Sequence, residues 1–312
     1  AALATGMVAL ADGTDLAGSL RNPANFCNLV GMRPSVGRVP TWPEQLGWYT
    51  MSVAGPMARS VEDLALMMSV LSGPDDRSPI ALDTPGTIFT SPLQRSFKGC
   101  KVAYSEDLGG LPLEPEVRTV MRSAREVFER LGCEVVDAEI DLSEAGEIFM
   151  LWRAWRTELR IAPLLASHKD QLKDTVIWNA EQGLDLTGPQ LARAEAKRTE
   201  IYHRMREFMN TYEFFILPVN QVVPFSVDLD YPREINGVKM NTYIDWQKTA
   251  YFISAMGNPA ISVPAGFTDS GLPVGVQIVG GHRQDLAVLQ MAYAFEQATQ
   301  FGLKRPSICT VA

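Results

Sequence analysis

The sequence predicts an α/β fold: a sheet covered by helices on both faces. Three observations carry this. Residues 101–104, 115–131 and 134–140 read as strand, amphipathic helix and strand, and a β-α-β unit joins parallel strands that need cover on both sides. Phe214-Phe215-Ile216-Leu217-Pro218 is a short apolar run of the kind a buried strand presents. Ala260-Ile261-Ser262-Val263-Pro264 and Val274-Gly275-Val276-Gln277-Ile278-Val279 are two more, joined through the turn Thr268-Asp269-Ser270-Gly271.

Taken in order, residues 1–11 are Ala-rich and read as a helix that delivers the chain to Gly13. Residues 25–39 read as irregular, punctuated by Gly31, Pro34 and Gly37. Trp42, Trp48 and Tyr49 fall in a loop, and covering the core edge is a better use for them than lining a pocket. Ser60 is placed to cap a helix in which Val61, Leu64, Ala65, Met68 and Leu71 mark one stripe, and Gly73-Pro74 stops it. Residues 75–98 are polar and Pro-rich, a surface excursion. Pro115 opens the next helix, whose buried face runs through Val117, Val120, Met121, Ala124, Val127, Phe128 and Leu131. Residues 144–182 read as helical, and 189–212 as a charged, largely exposed helix. Residues 219–242 read as loop, 243–256 as a helix ending at Gly257, and 285–299 as the last helix.

A chain of 312 residues suits one large α/β unit, so residues 1–312 are read as a single domain. Hydrophobic content of 46% against 21% charged residues excludes disorder. A net charge of -8 argues against direct binding to nucleic acid or to an anionic membrane surface. The chain contains no apolar run of transmembrane length. Cys27, Cys100, Cys133 and Cys309 are scattered, with neither zinc spacing nor a disulfide framework, so reduced thiols in a cytoplasmic protein are expected. No secretory signal is read. The opening Ala1-Ala2-Leu3-Ala4 has no start methionine and reads as the middle of an element, so residues upstream of Ala1 are expected.

Chemistry concentrates in Gly13-Thr14-Asp15-Leu16-Ala17-Gly18-Ser19-Leu20-Arg21. Small residues let the backbone approach another molecule, and clustered N–H groups stabilise a developing negative charge. From this loop alone Ser19 is equally a nucleophile or a capping serine in an ordinary turn. Ala17 and Arg21 occupy the places where an α/β-hydrolase elbow needs glycine, and no Walker or dinucleotide fingerprint is present. His168 and His203 lie on polar helical stretches and read as surface residues; His282, in a Gly-rich turn, is more ambiguous but also reads as structural. None of Lys98, Lys101, Lys169, Lys173, Lys197, Lys239, Lys248 and Lys304 lies in a small, apolar setting suited to a neutral base. No carboxylate spacing suggests a metal, and no cofactor is implied.

The run from Gly13 through Asn22-Pro23-Ala24, then Phe26-Cys27 and Gly31-Met32-Arg33-Pro34-Ser35-Val36-Gly37-Arg38, resembles the amidase signature family. The likeness continues in Gly55-Pro56-Met57-Ala58-Arg59-Ser60-Val61-Glu62-Asp63, Asn258-Pro259-Ala260-Ile261-Ser262-Val263-Pro264-Ala265-Gly266 and Gly271-Leu272-Pro273-Val274-Gly275-Val276-Gln277. It implies a mixed sheet flanked by helices on both faces and a serine amidohydrolase with no metal or cofactor. Ser19 would be the acyl-enzyme nucleophile, and the backbone N–H groups of Leu16, Ala17, Gly18 and Ser19 the oxyanion hole. Thr14, Asp15 and Arg21 would hold the loop. In the family a cis-peptide serine relays the nucleophile's proton to a lysine; by the resemblance both lie upstream of Ala1 and outside this chain. Ala17 also departs from the glycine usual there, which keeps the N–H but adds a methyl.

The expected activity is hydrolysis of a small-molecule carboxamide. The alternatives are the glutaminase subunit of a tRNA-dependent amidotransferase and a non-catalytic relative. A homodimer and association with the chain's own N-terminal portion are the protein partners considered. Trp152, Trp155, Tyr243 and Trp246 are candidates for an acyl pocket, although at helical spacing such residues more often belong to the core.

Overall fold

The computed structural model describes residues 1–309. In chain order its elements are β1 (Ala11–Asp15), α1 (Arg21–Phe26), β2 (Val30–Arg33), β3 (Val53–Ala58), α2 (Val61–Leu71), β4 (Lys101–Tyr104), α3 (Pro115–Arg130), β5 (Glu134–Asp137), α4 (Ala145–His168), α5 (Asp174–Leu184), α6 (Gly188–Phe208), β6 (Phe214–Pro218), a small hairpin of β7 (Glu234–Ile235) and β8 (Val238–Lys239), α7 (Lys248–Met256), β9 (Ala260–Phe267), β10 (Pro273–Gly280) and α8 (Asp285–Thr299). The other eight strands form one sheet in the order β1-β3-β2-β9-β10-β6-β4-β5. Pairing is antiparallel from β1 to β6, then parallel through β4 and β5. This is the mixed sheet the resemblance implied.

Side-chain alternation assigns the two faces. Val102, Phe214, Ile216, Ile261, Val263, Val276 and Ile278 point into a core closed by α2, α3 and α8. Ala103, Phe215, Leu217, Ala260 and Val279 point into a second core closed by α4, α6 and α7. Gln277 and Ser262 stand on this second face by the same alternation, and both are buried. Ser60 caps α2 as expected, its hydroxyl accepting the Asp63 amide at 3.2 Å. Among the described residues no helix is long and apolar enough to cross a membrane.

The first residues depart from the expectation. The Thr5 amide reaches the Ala1 carbonyl at 3.0 Å, but Gly6 turns to φ +79° and no α-helix follows. Residues 11–15 instead form an edge strand, in register from Ala11 opposite Met57 to Asp15 opposite Val53. Residues 1–10 close only a turn, the Gly6 and Met7 amides reaching the Leu3 and Ala2 carbonyls, before the strand begins at Ala11. The stretch read as irregular contains β2, and β3 was not anticipated. Both are short, both carry glycine, and β2 is buried along its whole length, so neither shows a clean polar alternation. The long helical stretch is two helices, α4 with Pro163 inside it and α5, separated by a 3₁₀ turn at Lys169–Gln171.

Candidate active site

Leaving β1, the chain makes a tight loop and enters α1 on the face that also carries α7. Asp15, the last residue of β1, is fully buried and organises that loop from below. Its Oδ1 accepts the Gly18 amide at 3.0 Å and its Oδ2 accepts the Leu20 amide at 3.3 Å. Arg21 closes a two-pronged pair with the same carboxylate, Nε to Oδ2 at 3.0 Å and Nη2 to Oδ1 at 2.9 Å. Arg33, from β2, adds a second guanidinium at 3.3 Å. Burial by itself would raise the Asp15 carboxyl. The charge and hydrogen bonds of Arg21, the charge of Arg33 and the Leu20 amide overcome it and hold the group well below the usual carboxylate range. Burial lowers Arg33 to about 10, so it stays cationic at neutral pH.

The cluster is tied to distant parts of the chain. Arg21 also donates to the Ala250 carbonyl at 2.8 Å, to the Ser254 hydroxyl at 2.8 Å and to Gln277 Oε1. Gln277 in turn donates to the carbonyls of Pro218 and Thr249 at 3.2 and 3.1 Å. Arg33 donates to the Met51 carbonyl at 2.9 Å. Strands β1, β2 and β10 and helices α1 and α7 are thus locked to one point under the loop.

Above that point the loop alternates sharply in exposure. Ala17, Gly18 and Leu20 are buried, while Ser19 between them is exposed. Gly18 sits at φ +102°, and a Cβ there would lie 2.5 Å from Asn22 Oδ1 and 2.6 Å from the Ala250 side chain, so only glycine fits. Asn22 donates from Nδ2 to the Ala17 carbonyl at 3.2 Å and to Gln247 at 3.1 Å, fixing the loop against the start of α7.

Two of the expected site residues differ in their partners. The Gly18 amide donates to Asp15 Oδ1, while among the described residues the amides of Leu16, Ala17 and Ser19 donate to no protein acceptor. Thr14 is exposed, and its hydroxyl makes no hydrogen bond among the described residues. It pairs opposite Ala54 in the strand ladder and borders a cavity with Tyr49 and Arg156. Arg33, Ser254 and Gln277 were not singled out from the sequence. Their signal was present in a weak form: Arg33 and Gln277 are polar residues inside otherwise apolar strands.

The aromatic candidates do not converge. Trp152 and Trp155 pack on Tyr49, with ring centroids 5.6 and 5.9 Å away. Trp246 stacks on Phe26 at 5.7 Å and meets Phe225 edge-on. Tyr243 packs against Trp178, accepts a hydrogen bond from Arg153 and lines a cavity of about 230 Å³ with Trp178, Tyr231 and Thr242. The three histidines are exposed, and none of the lysines named above is buried. Among the described residues no three His, Cys, Asp or Glu side chains converge to hold a metal ion.

A family model described as Amidase matches residues 1–289. The Acylamidase of Rhodococcus erythropolis is 33% identical over 318 residues, which cover 98% of this chain and 65% of that protein. The A-type subunit of the glutamyl-tRNA(Gln) amidotransferase of Synechococcus sp. (strain CC9605) is 30% identical over 341 residues, covering 100% of this chain and 67% of that one. The crystal structure of a bacterial aryl acylamidase belonging to the amidase signature enzymes aligns with a TM-score of 0.88 at 28% identity, over 98% of this chain and 66% of that chain. The chain spans about two thirds of the length of these curated relatives.

Proposed function

The chain belongs to the amidase signature family, and from that premise we propose that it carries the nucleophile and oxyanion cradle of a serine amidohydrolase acting on carboxamide C–N bonds. Ser19 Oγ adds to the amide carbonyl, and the amides of Leu16, Ala17 and Ser19 receive the oxyanion. Collapse of the tetrahedral intermediate breaks the C–N bond, releases the amine and leaves an acyl-Ser19 ester, which water then hydrolyses. Loss of one oxyanion donor costs about 2.7–4 kcal/mol of barrier in enzymes of this chemistry. Asp15 and Arg21 hold the loop, and neither is a proton carrier: each is committed to the other, and the carboxylate lies far below the pKa of a useful base.

The observation that supports this reading best is the exposure of Ser19 alone among buried neighbours, over a carboxylate locked by two guanidiniums. A serine hydroxyl needs a base as it attacks. The reading assigns that role to a relay serine and a lysine contributed N-terminal to Ala1, and it takes the protein to be cytoplasmic, with a small amide as its substrate.

The test is to treat protein that includes the segment upstream of Ala1 with a fluorophosphonate and to map the adduct by mass spectrometry. Ser19 should carry it, and Ser19→Ala should abolish both adduct and turnover. An adduct on another serine, with Ser19 clean, refutes the assignment. The likeness to the A-type chain of an amidotransferase supports a second reading, a glutaminase component that supplies ammonia to partner chains. Stoichiometric copurification with other chains, together with selectivity for glutamine over an aryl amide and a fatty amide, would favour it.

A further inference from the structure

Cys100 and Cys133 are separated by a helix in sequence and adjacent in the sheet. Each immediately precedes a strand of the parallel pair β4 and β5, whose register sets Lys101 opposite Glu134 and Val102 opposite Val135. One residue further back, Cys100 stands opposite Cys133. The ladder runs through this row: the Glu134 amide donates to the Cys100 carbonyl at 2.8 Å, and the Gly99 amide to the Gly132 carbonyl at 2.8 Å. Lys101 and Glu134 approach each other at 3.8 Å on the solvent side. Both cysteines point the opposite way, into the core that contains Phe97, Phe128 and Phe214. The Cys100 thiol donates to Glu213 Oε2 at 3.3 Å, and that carboxylate pairs with Arg95 at 2.6 Å. Neighbouring strands lie about 4.8 Å apart, inside the roughly 4.4–6.8 Å Cα separation that a disulfide spans.

We propose that Cys100 and Cys133 are a redox modification site, converted by a peroxide into an intramolecular disulfide, with Glu213 as the proton acceptor for Cys100. The Cys133 thiolate attacks one peroxide oxygen; the O–O bond breaks, hydroxide leaves and Cys133 becomes a sulfenic acid. The Cys100 sulfur then attacks the Cys133 sulfur while its proton passes to Glu213; the S–O bond breaks, hydroxide leaves and the S–S bond forms. With the two thiol protons, the hydroxides become two waters. Each sulfur has lost one electron, and the peroxide has gained two.

The surroundings suit this order. The neighbouring Cys100 sulfur draws the Cys133 thiol below its usual range, and Cys133, burial and the Glu213 charge raise Cys100. Cys133 is buried beside half-buried Cys100. The bridge would close a loop containing α3 and fasten edge strand β5 to β4, constraining the unfolded chain. This proposal stands independently of the chemistry assigned to Ser19.

The test oxidises the folded chain with hydrogen peroxide, caps remaining thiols with N-ethylmaleimide, and maps unreduced peptides by mass spectrometry. The expected product is one linked pair, Cys100 to Cys133, two hydrogens lighter than its parts and separated by dithiothreitol. Cys27 and Cys309 should remain capped, and the melting temperature should rise reversibly. Cys100→Ser, checked for folding by circular dichroism, should leave Cys133 as a sulfenic acid that dimedone traps. Glu213→Gln should slow bridging several-fold, and Cys27→Ser should not. Recovery of Cys100 and Cys133 as capped thiols while Cys27 or Cys309 is oxidised overturns the proposal, as does linkage only between molecules. An unchanged rate in Glu213→Gln overturns the part given to that carboxylate.

Discussion

Asp15 and Glu296 are two carboxyl groups withdrawn from water, and their proton affinities move in opposite directions. Burial pushes both upward. At Asp15 two guanidiniums and a backbone amide reverse that push, and the group stays ionised far into acid. Glu296, half-buried on α8, accepts one amide, that of Val61 at 3.0 Å, and its charged neighbours Glu62 and Asp63 are of like sign. It is raised to about 7. Burial thus sets a default sign, and fixed cations decide whether that default survives. The first arrangement gives a rigid anion under the Gly18–Ser19 loop. The second gives a group that titrates near neutrality at the meeting of α8 and α2.

Removing a cation from Asp15 should erase the contrast most forcefully. Arg21→Met leaves a buried carboxylate short of its two-pronged partner and should cost about 3–5 kcal/mol in urea unfolding. A loss below about 1 kcal/mol would mean that Arg33 and the two amides suffice. The same carboxylate governs behaviour in acid. Its folded pKa lies below its unfolded value of about 3.9, so its contribution is complete above that pH and is lost as pH falls toward the folded value. Asp15→Asn should flatten stability against pH below about pH 4, which thermal melts across that range would detect.

Glu296→Gln tests the other side, with opposite sign and smaller size. A raised folded pKa means that stability is full below the unfolded value, near 4.5, and lost as pH climbs through about 7. Allowing for solvent screening at a half-buried group, that loss is about 1–2 kcal/mol. Glutamine keeps an acceptor for the Val61 amide, so the variant should hold a level stability across this window while the parent declines. Parallel pH profiles for the two proteins would refute the raised pKa. Smallest is Ser60→Ala, which removes the neighbouring cap on Asp63 and should cost about 1 kcal/mol without changing the pH slope. A changed slope would mean that the Ser60 and Glu296 caps act as one unit.

The sequence made some of this legible. The apolar runs at 101–104, 214–218, 260–264 and 274–279 are strands because they can be buried on both faces, and the stripe from Val117 to Phe128 is a helix because its period allows nothing else. Ser60 showed itself as a cap through chemistry that acts within three residues. β2 and β3 were not visible, since each is stable only when hydrogen-bonded to strands brought from elsewhere. Residues 1–11 misled because alanine's helix propensity is weak and the chain turns at Gly6.

At the site, the run from Gly13 to Arg21 identified its own loop, because close-packed small residues around one serine form a local pattern. The mutual commitment of Asp15 and Arg21 was within reach for the same reason, six positions apart. Which amides remain free was a tertiary outcome: Gly18 loses its donor to a carboxylate whose position depends on Arg33, Ser254 and Gln277, residues from three other elements. The aromatic candidates followed the same rule, since helical spacing says which residues share a face but not what that face meets, and the fold sent Trp152 and Trp155, Tyr243 and Trp246 to different neighbours. Short-range backbone preference and apolar periodicity are properties of a segment, so the sequence by itself determined the α/β class, the cap and the Gly-rich loop. Burial, charge pairing and hydrogen-bond satisfaction are properties of whatever packs on that segment, so only the tertiary structure decided which groups are anchors and which remain available for chemistry.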